Sequence, residues 1–344
     1  KGDFYYEPPS GFLALCTDNL SAPEIKLPDE YFNTALYDGT GASQTIAVGF
    51  QPDFVWAKSR STAVNNVLYD SVRGTGRLES NTNLAEGSRD GFAGYSSNGF
   101  DVDDDGGGGS INYPSGRTYV AWNWKAGTSF DPATAGTVTT GSGSSNSTAG
   151  FSIVKYTGES GSITVGHGLS QAPECIIIKN LDGTYMWSGY FKSLGNTESI
   201  SLGDAGAAYP EKTWNDTTPL STVFTLGAST ETSSHRFNYT GEDFIAYCFH
   251  SVEGYSKVGT YTGNLNADGP FAYTGFSPAF IMFKPDASAD WTICDNKRNT
   301  YNAVADKTLN PNLNSAEHDG GMDFDFLSNG FKIRNANSDN NHNV

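Results

Sequence analysis

The sequence predicts an all-β fold built from tandem antiparallel β-sandwich units, of jelly-roll or concanavalin-like type, with few short helices. Glycine makes up 40 of the 344 residues and charged residues only 17%, against about 7% and about 25% in typical soluble chains. Short runs such as 153–156 and 331–334 alternate apolar and polar residues between Gly, Asn and Pro. That alternation is typical of half-buried antiparallel strands. A closed barrel is the alternative.

A pattern about one domain long occurs three times along the chain. Each copy has a Tyr-x-Gly turn, at Tyr37, Tyr156 and Tyr261, followed by an uninterrupted apolar run that ends in Lys58, Lys179 and Lys284. Uninterrupted apolar runs indicate central strands covered on both faces. Repetition at this period predicts one structural unit used three times, each with its own core.

The repeat divides the chain into five parts. We expect an extended N-terminal arm (1–30), a first unit (31–127), a Gly/Ser/Thr-rich linker or loop (128–148), a second unit (149–254) and a third unit (255–344). Copies one and two each end with a similar strand, at 119–125 and 244–250. Copy three stops at Val344 before such a strand occurs, so we expect the third unit to be incomplete. The short connection between units two and three predicts a rigid contact. A short helix is expected at 29–36, after Pro28.

Composition excludes several classes of partner. The formal net charge of −17 argues against nucleic acid, which requires clustered Lys and Arg, and against an anionic membrane surface. No apolar stretch approaches the length of a spanning helix, so we expect no membrane insertion. The four cysteines are far apart in apolar runs and are predicted to be buried thiols; they are Cys16, Cys175, Cys248 and Cys294.

An acidic motif makes calcium the one candidate cofactor. Asp101, Asp103 and Asp105 alternate and are followed by Gly106, as at the start of a calcium loop. The motif is incomplete, because Asn112 stands where an EF-hand needs a bidentate glutamate. The competing interpretation is a solvated acidic hairpin tip.

Trp214 is the candidate ligand-binding residue. It lies in a polar stretch, 212–219, where an exposed ring could stack on a sugar or a partner. Trp187 and Trp291 are instead expected in a core. No catalytic motif is present, and His167 is predicted to be a turn residue with local hydrogen bonds. We therefore expect no catalytic residues and no enzyme.

Five segments carry a resemblance to known sequences: 11–20 (GFLALCTDNL), 49–58 (GFQPDFVWAK), 119–127 (YVAWNWKAG), 165–169 (VGHGL) and 325–332 (DFLSNGFK). Together they resemble a domain family of uncharacterised function in tail-fibre and other virion proteins of marine bacteriophages. The resemblance covers nearly the whole chain and supplies no catalytic residues. It implies a virion structural protein, in a tail fibre or appendage that serves host attachment, located on the virion or outside the cell.

The implied partners are copies of the same chain or other virion proteins, together with a host surface glycan or protein. Affinity would then come largely from several identical copies that act together. The first alternative is a capsid decoration or head-fibre protein. A secreted carbohydrate-binding protein and a polysaccharide depolymerase, which needs two suitably spaced carboxylates, are the others.

Overall fold

The computed structural model describes residues 23–88, 91–104, 106, 108, 110–114, 116–229, 234–298 and 305–342. Over these residues the chain forms antiparallel β-sheets, so the predicted all-β class is confirmed. The described helical elements are 3₁₀ turns at Pro28–Glu30 and Pro132–Thr134 and a short helix α1 at Ser338–Asn341. None of the described helices has the length and apolar character to cross a bilayer.

Unit one forms two sheets that share one interior. Its strands are β1 (Phe32–Asp38), β2 (Gln44–Ala47), β3 (Phe54–Ser59), β4 (Val67–Asp70), β5 (Leu78–Glu79), β6 (Phe92–Ser96), β7 (Gly99–Val102) and β8 (Thr118–Trp124). The larger sheet has the order β1-β8-β3-β4-β5 and the smaller β2-β7-β6. Val55 of the larger sheet and Phe100 of the smaller belong to one buried cluster. The two sheets therefore pack face to face.

The helix expected at 29–36 is wrong. The acidic first turn exists, as Pro28–Glu30, but it ends at Tyr31 and the chain continues into β1. β1 pairs along its whole length with β8. Pairing with a long, aromatic-rich strand outweighs the local helical signal.

Unit two repeats the strand order of unit one. Its strands are β9 (Thr128–Phe130), β10 (Gly141–Asn146), β11 (Phe151–Thr157), β12 (Ile163–Gly166), β13 (Cys175–Asn180), β14 (Ser188–Phe191), β15 (Glu198–Ser199), β16 (Tyr209–Pro210), β17 (Val223–Leu226) and β18 (Asp243–Phe249). The larger sheet has the order β14-β13-β18-β11-β10-β9. Its part β11-β18-β13-β14 corresponds to β1-β8-β3-β4. β12 and β17 form a second sheet and β15 and β16 a third.

The expected linker at 128–148 is wrong where it contains strands. β10 pairs with β11 over six residues, and β9 extends the same sheet by one more strand. Strand pairing uses backbone groups alone, so the Gly/Ser sequence of β10 can pair on both sides, with β11 and with β9. The intervening residues 131–140 remain a loop with a 3₁₀ turn.

Over the described residues, unit three repeats part of this arrangement. Its strands are β19 (Phe271–Tyr273), β20 (Phe280–Phe283), β21 (Thr292–Asp295), β22 (Ala305–Thr308), β23 (His318–Leu327) and β24 (Gly330–Ile333). The order β19-β24-β23 corresponds to β2-β7-β6, and β20 pairs with β21 as β3 pairs with β4. β3 and β13 are buried throughout, whereas β20 is only half-buried. The prediction of a strand covered on both faces is therefore right for two of the three apolar runs.

One buried asparagine per unit holds the Tyr-x-Gly turn. Its side-chain oxygen accepts a backbone N–H of the turn in the pairs Asn112–Thr40, Asn238–Glu159 and Asn341–Asn264. A tyrosine hydroxyl donates to the carbonyl just before each asparagine; these tyrosines are Tyr37, Tyr156 and Tyr261. The repeated tyrosine of the sequence thus anchors the same turn three times.

A shared core joins the three units. Besides a cluster inside each unit, one buried cluster combines Trp122 of unit one, Tyr247 of unit two and Trp291 of unit three. The rings of Phe54 and Tyr247 lie 4.4 Å apart between units one and two. The expected contact between units two and three is present, with the rings of Phe191 and Trp291 5.6 Å apart. The outer faces of the larger sheets are thus buried against neighbouring units.

The repeated lysines connect the units in a cycle. Each Nζ donates to a backbone carbonyl of another unit, in the pairs Lys58–Asn314, Lys179–Asn83 and Lys284–Ala205. These bonds join unit one to three, two to one and three to two. A cycle of like contacts means that the units surround a common centre, as in a ring with heterologous interfaces.

Candidate functional site

Two of the predicted calcium residues, Asp101 and Asp103, lie in β7 and directly after it. Asp101 accepts the Thr45 hydroxyl at 2.6 Å, and the Asp103 carbonyl accepts the side-chain amide of Asn112. Asp105 lies outside the described residues. Within the described part of the chain no group of three metal-ligating side chains occurs. Calcium binding therefore stays a prediction; calorimetric titration of the wild type and Asp103→Asn tests it, and equal heats would exclude it.

The prediction that Trp214 is exposed is wrong. Its side chain is fully buried in the core of unit two. The indole N–H donates to Ser199 Oγ at 3.0 Å, and the ring meets Tyr190 edge to face. The flanking residues are polar, but the loop places the ring inside the core of unit two. Trp214 is thus a core residue and not a stacking platform.

Trp187 and Trp291 are buried, as predicted, but they lie in the shared core. Trp187 Nε1 donates to the Glu79 carbonyl of unit one, and Trp291 Nε1 donates to the Ser201 carbonyl of unit two. Asn66 occupies the same place in unit one and donates to the Asn310 carbonyl of unit three. These side chains hold the units together.

The large aromatic side chains exposed among the described residues are Phe271 and Tyr273, at 44% and 69%. They are two positions apart on β19, so they point to the same face of the sheet. β19 is an edge strand, so solvent reaches both rings from the side. Exposed apolar patches of this kind mark interaction surfaces. We call Phe271 and Tyr273 the aromatic pair.

Charged groups lie on the strands next to the aromatic pair. Lys332 lies directly opposite Phe271 on β24, and Asp325 lies opposite Lys332 on β23. Lys332 Nζ contacts Asp268 Oδ1 at 2.7 Å, and Arg334 forms an ion pair with Asp325. The bond from Lys332 lowers the pKa of the Asp268 carboxyl. The face therefore offers two flat rings beside donors and acceptors for hydroxyl groups.

The aromatic pair is specific to unit three. At the corresponding positions of unit one stand Thr45 and Ala47, with Asp101 in the place of Lys332. In the sequence, Phe271 and Tyr273 resemble ordinary strand residues, so nothing in their own segment marks them as an exposed pair. An alignment of the three copies could have shown that aromatics replace Thr and Ala at one edge.

The described residues also form two recesses. One, of about 380 Å³, lies between units one and two and is lined by Asn81, Thr82, Asn83, Met186, Trp187, Ser201 and Gly203. The other, of about 190 Å³, lies in unit three; its titratable lining residues are Asp290, His318 and Asp339. The second recess contains two carboxylates, the minimum for glycosidic hydrolysis.

The buried lysines carry perturbed pKa values. Burial lowers the pKa of Lys58 to about 8 and that of Lys179 to about 7, and it lowers the pKa of Lys284. Lowered lysine pKa values often mark nucleophiles, but Lys58 and Lys179 are fully buried. A substrate cannot reach either amine. The role that the structure shows for Lys58 and Lys179 is therefore the contact between units.

The remaining predicted residues are structural. His167 is buried, with Nε2 3.0 Å from the Leu220 carbonyl oxygen and Nδ1 3.2 Å from the Leu169 N–H, which agrees with a locally bonded turn residue. Burial lowers its pKa. Cys175, Cys248 and Cys294 are buried free thiols, as predicted. Cys16 lies outside the described residues.

Comparison with known proteins gives a family without a known activity. The model of a domain of unknown function, DUF7483, matches residues 27–343. The chain belongs to this family. No curated protein and no solved structure is detectably similar to it.

Proposed function

We propose that this member of the DUF7483 family is a non-enzymatic structural protein of a bacteriophage virion, in a tail fibre or similar appendage that serves host attachment. The observation that carries the proposal is the closed cycle of lysine contacts around a shared core. Such a body is held together without a disulfide between described cysteines. A rigid body of this kind suits a spacer assembled from several copies or from other virion proteins.

The aromatic pair is the proposed contact with the host surface. Aromatic rings bind the C–H face of a sugar ring, and the neighbouring Asp268, Lys332 and Asp325 can bond its hydroxyl groups. A glycan is favoured over nucleic acid because the net charge is −17. Each contact is weak, so attachment would depend on several copies that bind together.

Glycan retention tests the binding surface. We expect wild-type protein to bind host surface polysaccharide and Tyr273→Ala to bind at least fivefold more weakly, which corresponds to about 1 kcal/mol. Leu220→Ala is the control, because Leu220 is 58% exposed but lies in unit two. Equal binding by wild type, Tyr273→Ala and Leu220→Ala would show that the aromatic pair does not bind the glycan.

Electron microscopy tests the location. Antibody to this chain should label purified phage particles at the tail appendage. Label on the capsid would instead favour a decoration or head-fibre protein. Glycan binding without any labelled particle would favour the secreted carbohydrate-binding protein.

A depolymerase is the second candidate, and the recess with Asp290 and Asp339 favours it. Incubation with host polysaccharide should leave chain lengths unchanged if the protein only binds. Shortened chains that persist in Tyr273→Ala but disappear in Asp339→Asn would establish an enzyme in unit three.

A further inference from the structure

The recess between units one and two lies where unit two departs from the repeat. One strand contact in each unit fixes which residues correspond, and these contacts are Leu68–Leu78, Gly189–Ile200 and Ile293–Leu309. Three residues further along, the same loop position is taken by Asn81 in unit one, Gly203 in unit two and Asn312 in unit three. Unit two therefore has no side chain where the other two units have an asparagine.

The asparagine at this position accepts a backbone N–H in units one and three. Asn81 Oδ1 accepts the Asn66 N–H at 2.8 Å, and Asn312 Oδ1 accepts the Trp291 N–H at 3.0 Å. Both donors come directly before a buried strand, β4 and β21. The side-chain oxygen thus satisfies a backbone donor that the strand pairing does not use.

In unit two the corresponding donor is the backbone N–H of Trp187. Trp187 matches Asn66 and Trp291, because the side chain of each donates to the same carbonyl position of a neighbouring unit's loop. Gly203 has no side chain to accept this N–H, although an added Cβ would be 3.2 Å from Trp187 Cδ1. Trp187 and Gly203 both line the recess. The recess therefore occupies the space that the asparagine side chain fills in the other two units.

The lining of this recess favours an uncharged, hydroxyl-rich ligand. None of the described residues that line it has an ionisable side chain, and amide and hydroxyl groups are supplied by Asn83, Thr82 and Ser201. The net charge of −17 disfavours an anion. The volume of about 380 Å³ lies within the range of about 300–1,000 Å³ that is typical of small-molecule sites.

We propose that the recess binds an N-acetylated sugar residue, whose acetamido carbonyl takes the place of the missing asparagine oxygen. The carbonyl accepts the Trp187 N–H, as Asn81 Oδ1 accepts the Asn66 N–H. The acetyl methyl group contacts Met186, a partly buried apolar residue of the lining. The ring hydroxyls bond to the side-chain amide of Asn83, which is exposed. This site is separate from the aromatic pair, which lies in unit three.

Titration of the full chain with monosaccharides tests the ligand class. The probes are the methyl glycosides of N-acetylglucosamine and N-acetylgalactosamine, each paired with its unacetylated counterpart. We expect at least one acetylated sugar to bind about tenfold more tightly than its counterpart, because the counterpart leaves the Trp187 N–H without an acceptor. Saturation-transfer NMR should then give its strongest signal at the acetyl methyl protons. Equal affinity within both pairs, or no binding, would overturn the proposal.

Gly203→Asn tests the location, because it restores the residue of units one and three. Its side chain should occupy the recess and weaken binding of the acetylated sugar about tenfold or more. Gly259→Asn is the matched control, since Gly259 is exposed in unit three, and it should bind as wild type does. Unchanged binding by folded Gly203→Asn would place the sugar elsewhere.

Asn83→Ala gives a second test that does not depend on the folding of Gly203→Asn. The Asn83 carbonyl that accepts Lys179 Nζ remains in this variant, so Tm should be unchanged while binding weakens about threefold or more. Unchanged binding by Asn83→Ala would contradict the proposed contact. Tyr273→Ala should bind the free sugar as wild type does, which distinguishes a failure of the aromatic pair from a failure of this recess.

Discussion

The indole N–H of Trp122 in unit one donates to Asp295 Oδ2 in unit three at 3.0 Å, and both side chains are fully buried. The same oxygen accepts Arg298 Nε at 2.6 Å. Unit one contains the matching ion pair of Asp70 and Arg73, which Tyr247 of unit two completes with a bond of 2.8 Å. A buried ion pair in one unit is therefore satisfied only when its neighbour is folded, which couples the units.

Loss of the buried guanidinium should be costly. Arg298→Met leaves Asp295 charged and buried, so we expect a loss of about 3–5 kcal/mol in the free energy of unfolding. Arg334→Met is the matched control, because the Arg334–Asp325 pair is partly exposed and should contribute less than about 1 kcal/mol. Urea unfolding followed by tryptophan fluorescence measures both. Equal losses of stability in Arg298→Met and Arg334→Met would show that burial of an ion pair does not determine its contribution.

The buried asparagine that holds the Tyr-x-Gly turn should contribute strongly to the free energy of unfolding, and Asn238 of unit two provides the test. Asn238 bonds the Glu159 N–H and the carbonyls of Gly161 and Gly227. Asn238→Ala leaves the buried Gly227 carbonyl and two partly buried backbone groups without this partner; a fully buried unpaired group costs about 1–3 kcal/mol, so we expect a loss of about 2–4 kcal/mol. Asn196→Ala, which removes an exposed bond to Thr218, should change stability by less than about 1 kcal/mol. Thermal unfolding measures the stability loss of both variants, and similar losses would contradict the role of Asn238.

The sequence predicted the repeat but not how its members meet. The spacing from Tyr37 to Lys58 recurs because it links the anchored turn to the end of a central strand, and both are local features. The partner of Lys58 is the Asn314 carbonyl, 256 residues away, and no local pattern encodes that distance. A lysine is normally exposed, so burial between units could be recognised only in three dimensions.

The two errors about exposure have one physical origin. The polar neighbours of Trp214 predict an exposed ring, although the ring is buried. The aromatic pair is exposed, although its neighbours are typical strand residues. Exposure depends on which sheet covers a residue, and Tyr273 is exposed because β19 is an edge strand. The Gly/Ser strand β10 lacks apolar alternation, because its pairing with β9 and β11 uses backbone groups and needs no apolar side chain.

The buried Lys179 predicts a pH dependence of stability. Its pKa is about 7 in the folded state against 10.5 when unfolded, so between these values the unfolded chain binds more protons. Stability from this residue therefore rises as pH rises from 7 to 10.5 and is constant below 7. The stability of wild type relative to Lys179→Met should accordingly increase between about pH 7 and about pH 9.5, as measured by the difference in Tm. Lys26→Met, at an exposed position, should show a difference that does not change with pH; the same constancy for Lys179→Met would contradict the low folded pKa.

Trp214 and Tyr273 should separate stability from binding. Trp214→Ala opens a cavity in the core of unit two, and truncation of a buried tryptophan costs about 3–5 kcal/mol. Because that core is remote in sequence and in sheet from β19, the fraction of protein that remains folded should bind polysaccharide as the wild type does. Tyr273→Ala should show the reverse, with unchanged Tm and weaker binding. The two quantities are measured on the same preparations by thermal unfolding and by retention on immobilised polysaccharide. Weaker binding by folded Trp214→Ala would mean that the glycan is held in unit two and not at the aromatic pair.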